Sequence, residues 1–172
     1  MNTVVYFDCI ASPLGPMVLA SDGDALIGAW FDGQRHQPPI GPDWHRRCDL
    51  PVLRQTAAQL ERYFAGKRIE FDLPLAPAGT PFQRAAWSAI AGVPYGGTIA
   101  YRELAALAGR PRGIRAAGAA TGRNPWSIVI PCHRIVAADG ALTGYAGGLA
   151  RKRSLLELER AVLGSASALR AA

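Results

Sequence analysis

One stretch of this 172-residue chain stands apart chemically: Pro131-Cys132-His133-Arg134, reached through Asn124-Pro125-Trp126 and the apolar run Ile128-Val129-Ile130. A cysteine thiol, with an ordinary pKa of about 8.5, is mostly protonated at neutral pH and turns nucleophilic beside a base or a positive charge. His133 and Arg134 offer one of each. Adjacent side chains on a regular strand point to opposite faces, so Cys132 and His133 can meet only if the chain turns here. Pro131 favours such a turn.

Glu159 is the second residue out of place. In a helix running from Leu149 to Leu163, the residues Leu155, Leu156, Val162 and Leu163 lie three or four positions from Glu159, on its own face, while Arg153, Glu157 and Arg160 make the solvated face. A carboxylate buried without a partner costs several kcal/mol, so this one needs company. Lys152, seven positions back on the same stripe, would make an ordinary ion pair. His133 would instead complete Cys132–His133–Glu159, the nucleophile–base–orienter order of hydrolytic triads. Between these elements, Thr143-Gly144-Tyr145-Ala146-Gly147-Gly148 has the glycine density of a tight loop lying against a ligand, or of a plain hairpin turn.

The elements that must position these groups divide at Pro74–Gly79, the only linker-like stretch. Residues 1–79 read as a small antiparallel sheet with one helix. Val4–Phe7 and Met17–Ala20 flank a turn at Ser12–Pro16, and Ala25–Phe31 follows a second turn at Ser21–Asp24. The Pro-, His- and Arg-rich segment from Gly33 to Asp49 reads as a loop. Val52–Ala65 has helical spacing with Gly66 behind it, and a short strand is expected over Ile69–Leu73. Residues 80–172 read as mostly helical. Thr80-Pro81-Phe82-Gln83 offers a capping residue, a first-turn proline and a helix through about Ala91. Helices over Tyr101–Ala108 and Gly113–Thr121, joined by Gly109-Arg110-Pro111-Arg112, have the form of a helix-turn-helix. The second of them, with Ala116, Ala117, Gly118, Ala119 and Ala120, is nearly bare, so its backbone can approach a groove or a neighbouring helix closely. The class is α+β.

Charge follows the same division. Residues 1–80 carry seven Lys/Arg against nine Asp/Glu, and residues 81–172 carry twelve against four, so the +6 of the chain is −2 in one part and +8 in the other. A polyanion would bind the second half, and seventeen of the nineteen cations are Arg, the better residue for bidentate phosphate contacts. Three cysteines, Cys9, Cys48 and Cys132, argue against a disulfide scaffold and for a reducing compartment. The longest uncharged stretch, Ala85–Tyr101, is broken by Gly92, Pro94, Gly96 and Gly97 and is unsuited to a bilayer. No signal segment is expected at the N-terminus. His36, His45 and Cys48 share a loop without a metal-ligand spacing, so no metal and no other cofactor is expected.

Pro131-Cys132-His133-Arg134, preceded by Asn124-Pro125 and followed by Gly144–Gly148 and Lys152-x-x-Leu155-Leu156-x-x-Glu159, resembles the O6-alkylguanine-DNA alkyltransferases. The likeness is strong over about residues 80–160 and elsewhere rests on length and the strand-then-helix order. It implies that the Cys132 thiolate takes the alkyl group from O6 of guanine in an SN2 transfer, leaving a thioether and a protein spent after one turnover. His133 would be the base, acting through a water, with Glu159 orienting it and Asn124 steadying the loop. Tyr101 would hydrogen-bond the guanine ring. Backbone groups of Cys132, Ile135, Tyr145, Ala146 and Gly147 would read the guanine edge. Arg115 would fill the gap left by the flipped nucleotide. The Gly113–Thr121 helix, approaching closely through Ala116, would enter the minor groove, with Arg84, Arg102, Arg110, Arg112 and Arg123 on phosphates. The implied partner is double-stranded DNA carrying alkylated guanine. The implied setting is a cytoplasmic monomer with access to the chromosome, no membrane and no zinc, with cooperative binding along DNA left open. Some members have a serine where this chain has Ala146, so any O6 contact there falls to a backbone N–H. The cysteine-rich domain of the bifunctional regulator is absent, which implies repair without transcriptional activation.

Two rivals differ in class. A non-enzymatic module that binds alkylated DNA would lack the acceptor thiol, and Cys132 counts against it. A cysteine hydrolase would turn over repeatedly and would have no use for +8 in its catalytic half.

Overall fold

The computed structural model describes residues 4–67, 70–76 and 79–170. Strands β1 (Val5–Ile10), β2 (Met17–Ser21) and β3 (Leu26–Phe31) form an antiparallel meander. Its turns are built by local chemistry. The Ser12 hydroxyl donates to the Gly15 carbonyl at 2.5 Å, and Asp22 Oδ1 accepts from the N–H groups of Asp24 and Ala25. A fourth strand, β4 (Trp44–Arg46), lies parallel to β1, giving the order β3-β2-β1-β4. It comes from the segment read as loop. Trp44 holds it to the sheet by packing on Phe7 and Trp30, with ring centroids 5.9 and 6.4 Å apart. Helix α1 (Pro51–Phe64) buries Val52, Leu53, Thr56, Leu60 and Tyr63 in the shared core.

β3 also joins the two halves of the chain. Leu26 N–H donates to Pro74 O and its carbonyl accepts from Ala76 N–H, so Leu75 bridges to the sheet although this stretch reads as linker. Ala29 N–H donates to Pro125 O, and Ser127 N–H donates to Ala29 O, both at 2.8 Å. The sheet edge is thereby continued by the segment that leads to Cys132. The strand expected over Ile69–Leu73 does not form at Phe71–Leu73, and Ile69 lies outside the described residues.

Helix α2 (Pro81–Ala91) opens on the expected capping box: Gln83 N–H donates to Thr80 Oγ1, and Thr80 N–H donates to Gln83 Oε1. Strand β5 (Ile99–Ala100) pairs in parallel with β6 (Ile135–Val136), setting the start of α3 (Tyr101–Leu107) beside Cys132. Helix α4 (Ile114–Gly122) follows. Its alanines divide between two faces: Ala117 and Ala120 are buried, with Trp87 Nε1 donating to Ala120 O at 2.8 Å, while Ala119 is exposed. The long C-terminal helix is α5 (Leu149–Arg170).

Candidate functional site

Pro131 leads the chain into a single 3-10 turn, Cys132–Arg134, so the chain does turn where adjacent side chains had to be brought together. The loop before it is held by Asn124, whose Nδ2 donates to Trp126 O (3.2 Å) and Ile130 O (2.8 Å) while its Oδ1 accepts from Trp126 N–H (3.0 Å). Ile128 in this loop has φ +71, a region that a β-branched residue rarely enters.

Glu159 is fully buried and saturated with donors. Its Oε1 accepts from His133 Nε2 (2.7 Å), Tyr63 hydroxyl (2.8 Å) and Arg134 Nη2 (2.9 Å); its Oε2 accepts from Gly96 N–H (2.8 Å) and Arg134 Nε (3.0 Å). Burial opposes its charge, but the hydrogen bonds from His133 and Arg134 prevail and bring its pKa down to about 2. Gly96 has φ +74, a left-handed conformation that glycine adopts freely, and a Cβ there would press on Leu163 Cδ1, so glycine suits the position whose N–H reaches the carboxylate. Because the ionised carboxylate only accepts, His133 must carry its proton on Nε2. Burial then pulls the His133 pKa down, leaving a neutral imidazole whose buried Nδ1 has no protein partner among the described residues.

Of the two partners open to Glu159, the structure chooses His133. Lys152 points elsewhere: its Nζ donates to the carbonyls of Ile135, Thr143 and Gly144. Burial lowers its pKa to about 8. Arg134, Tyr63 and Gly96 at Glu159 were not foreseen; adjacency to His133 was a signal for Arg134, whereas nothing local marked the other two.

Cys132 is 3 % exposed, and burial raises its pKa, partly countered by Asn124 and by the charge of Lys152. The resting thiol is therefore held in its protonated form and must give up its proton before it can attack. Tyr101 and Tyr145 stand beside it. Burial first, and then the neighbouring Cys132 charge, raise both phenol pKa values. Tyr101 hydroxyl donates to Thr143 O at 3.0 Å. A cavity of about 470 Å³ opens at these two rings, walled by Gly118, Ala119 and Arg123 of the α4 end and by the Gly144–Leu149 loop. Gly147 keeps that loop tight, since a Cβ there would meet the Tyr145 ring at 2.7 Å and Phe31 at 3.1 Å. Ile135 is buried in β6 directly after the 3-10 turn.

The remaining residues singled out from sequence lie at or near the surface of α2, α3, α4 and the turn between α3 and α4. Arg84, Arg102, Arg110, Arg112, Arg115 and Arg123 are exposed and Ala116 is half-buried. Arg110 stacks on Phe82, and Arg84 donates to Gly79 O. Among the described residues no group of three or more His, Cys, Asp and Glu could hold a metal, and no helix is long and apolar enough to cross a membrane.

Comparison with known proteins places this geometry in context. Residues 81–161 match the model for the 6-O-methylguanine DNA methyltransferase DNA binding domain, and residues 5–77 match its ribonuclease-like domain. A methylated-DNA–protein-cysteine methyltransferase of Methanosarcina barkeri is 46 % identical over 90 % of this chain and 97 % of its own length. The Haemophilus influenzae protein of the same name is 42 % identical over 92 % and 88 %. The crystal structure of the Mycobacterium tuberculosis OGT in complex with DNA superposes with a TM-score of 0.83 at 41 % identity, covering 91 % of this chain and 94 % of that one.

Proposed function

The chain belongs to the 6-O-methylguanine DNA methyltransferase family, and from that premise we propose that it repairs DNA by moving the alkyl group of O6-alkylguanine onto Cys132. The observation that carries this reading is the buried His133–Glu159 pair directly after the buried Cys132, whose neighbours Tyr101 and Tyr145 line the cavity beside helix α4. The cavity accepts a base extruded from the minor-groove side of the duplex, at a cost of a few kcal/mol of stacking that Arg115 offsets by filling the gap.

The step balances as follows. As the O6-alkyl carbon comes up to Sγ, the thiol proton passes by way of water to His133 Nδ1. The resulting imidazolium is stabilised by Glu159, which already holds Nε2–H. The S–C bond forms as the C–O6 bond breaks, and the departing pair stays on O6. Tyr101 steadies that charge until the ring regains a proton at N1. A raised thiol pKa suits this coupling: the sulfur is a minority thiolate in the empty site and loses its proton when the substrate is in place. The thioether is stable, so each molecule acts once. Asn124 fixes the loop, backbone groups of Ile135, Tyr145, Ala146 and Gly147 read the guanine edge, and the exposed arginines hold phosphates without reading sequence. In this reading residues 1–79 are a supporting domain with its linker and residues 80–172 carry DNA binding, through a helix-turn-helix of α3 and α4, and the acceptor.

Intact-protein mass spectrometry after mixing with duplex containing O6-methylguanine tests it. One added CH2 per protein, on the peptide carrying Cys132, is expected. Demethylation beyond one equivalent would indicate a turnover enzyme, and unmodified protein beside unrepaired DNA would indicate a binding module.

A further inference from the structure

The turn after β3 carries Gln34, Arg35 and His36, and it is fastened to the loop before Cys132 and to the loop after it, which walls the cavity. Gln34 is 7 % exposed, and its Oε1 accepts from Phe31 N–H (3.0 Å) and from the Ser127 hydroxyl (2.9 Å) of the loop before Cys132. Arg35 N–H donates to Ala146 O (3.1 Å) in the loop after it. Gly33 N–H is tied to Gln37 Oε1 at 2.7 Å. His36 sits at φ +67, a left-handed conformation that a side-chain-bearing residue adopts when its surroundings impose it. Arg35 and His36 thereby become lining residues of the 470 Å³ cavity, together with Tyr101 and Arg123.

Arg35 is exposed, and its guanidinium has no hydrogen bond or ion pair among the described residues. Its half of the chain, residues 1–80, has net charge −2, so a free cation held at the mouth of this cavity is not the local charge average. A base turned out of a duplex stays tethered through its own two phosphates, so whatever pocket receives it must also meet a phosphodiester at its mouth. Arginine's planar fork suits that group, and a turn already pinned at three points loses little entropy on binding it.

We propose that Arg35 binds the phosphodiester adjoining the extruded nucleotide, the Gln34–His36 turn forming a fixed outer wall of the pocket that the N-terminal half supplies to the site. The inference rests on the alkyl-transfer reading above and deepens it: the N-terminal sheet becomes part of the substrate site as well as its support.

Full-length wild type, Arg35→Ala, Arg35→Lys and Arg35→Glu are compared for the rate of Cys132 labelling by O6-methylguanine duplex and by free O6-benzylguanine, which has no phosphate. The duplex-to-free-base rate ratio should fall about tenfold in Arg35→Ala, a loss typical of a charge-assisted hydrogen bond. It should fall further in Arg35→Glu and recover in part in Arg35→Lys. The slope of log affinity against log salt should drop by about one. An unchanged ratio, or equal losses on both substrates, overturns the proposal while wild type still labels Cys132. If wild type labels on neither substrate, the alkyl-transfer reading fails with it.

Discussion

The cluster around Glu159 and the arginines of α3 and α4 hold charge in opposite ways. Around Glu159 a carboxylate and a guanidinium share a site closed to water, every carboxylate lone pair is used, and the donors come from α1, the Gly96 turn and the 3-10 turn. On α3, α4 and the turn between them the guanidinium groups are exposed. The first arrangement is costly to assemble and unforgiving of loss, because removing either ion leaves its partner buried and unpaired. The second costs little, and each of its members is worth little alone. The chemistry needs one fixed geometry, whereas scanning undamaged duplex needs many weak and interchangeable contacts. The two regions should therefore fail differently.

The largest effect belongs to the buried cluster. Glu159→Gln strands Arg134 and should destabilise the fold by about 3–5 kcal/mol in denaturant titration, while Cys132 labelling slows at any pH where the variant stays folded. A pH series sharpens this. Glu159 has a folded pKa of about 2 against an ordinary 4.5. Between those values the unfolded chain binds the extra proton, so stability falls as pH falls. The loss is on the order of 3 kcal/mol. His133 adds to it in the same direction, because its lowered folded pKa lets the unfolded chain protonate first as pH drops through 6.5. Wild type should thus weaken from near neutrality down to acid, and Glu159→Gln should lack the step below 4.5. An acid limb of equal depth in both proteins would break the contrast.

How much of this could be read from residues depended on how far apart the partners lie in the chain. The α2 capping box, the turn at Pro131 and the need of Glu159 for company are written within a few positions, and the structure shows each of them. What stayed hidden is non-local. Tyr63 meets Glu159 across 96 positions. β4 owes its place to Trp44 packing on rings from two other strands. The continuation of β3 by Pro125–Ser127 depends on an edge that exists only once the sheet has formed. Ile128 at φ +71 is likewise imposed from outside, since the residue's own preference argues against it. The cysteine and its base were legible as types, whereas the protonated resting thiol required knowledge of burial.

Arg115 tests the border between the two regions, being exposed like the other arginines but assigned a place in the base stack. Arg115→Ala should lower labelling by O6-methylguanine duplex about tenfold or more, a stacking-sized loss, and labelling by free O6-benzylguanine by much less. If the two losses match, Arg115 acts on the pocket and belongs with the first region.

The smallest effect is the most diagnostic of the second region. Arg110→Ala and Arg112→Ala remove single exposed charges beside α4. Each neutralises about one phosphate at most, so affinity for undamaged duplex should fall only severalfold, and by the same factor on every sequence. Salt separates this from a structural loss. Each phosphate contact releases condensed counterions, so log affinity declines linearly with log salt, and deleting one contact should reduce that slope by about one. The two substitutions should then add, because the side chains act through independent phosphates, with stability unchanged within about 0.5 kcal/mol. A slope left intact while affinity falls would mean that these arginines shape α4 and touch no phosphate, leaving the +8 of residues 81–172 as a solvated face with its DNA contacts elsewhere.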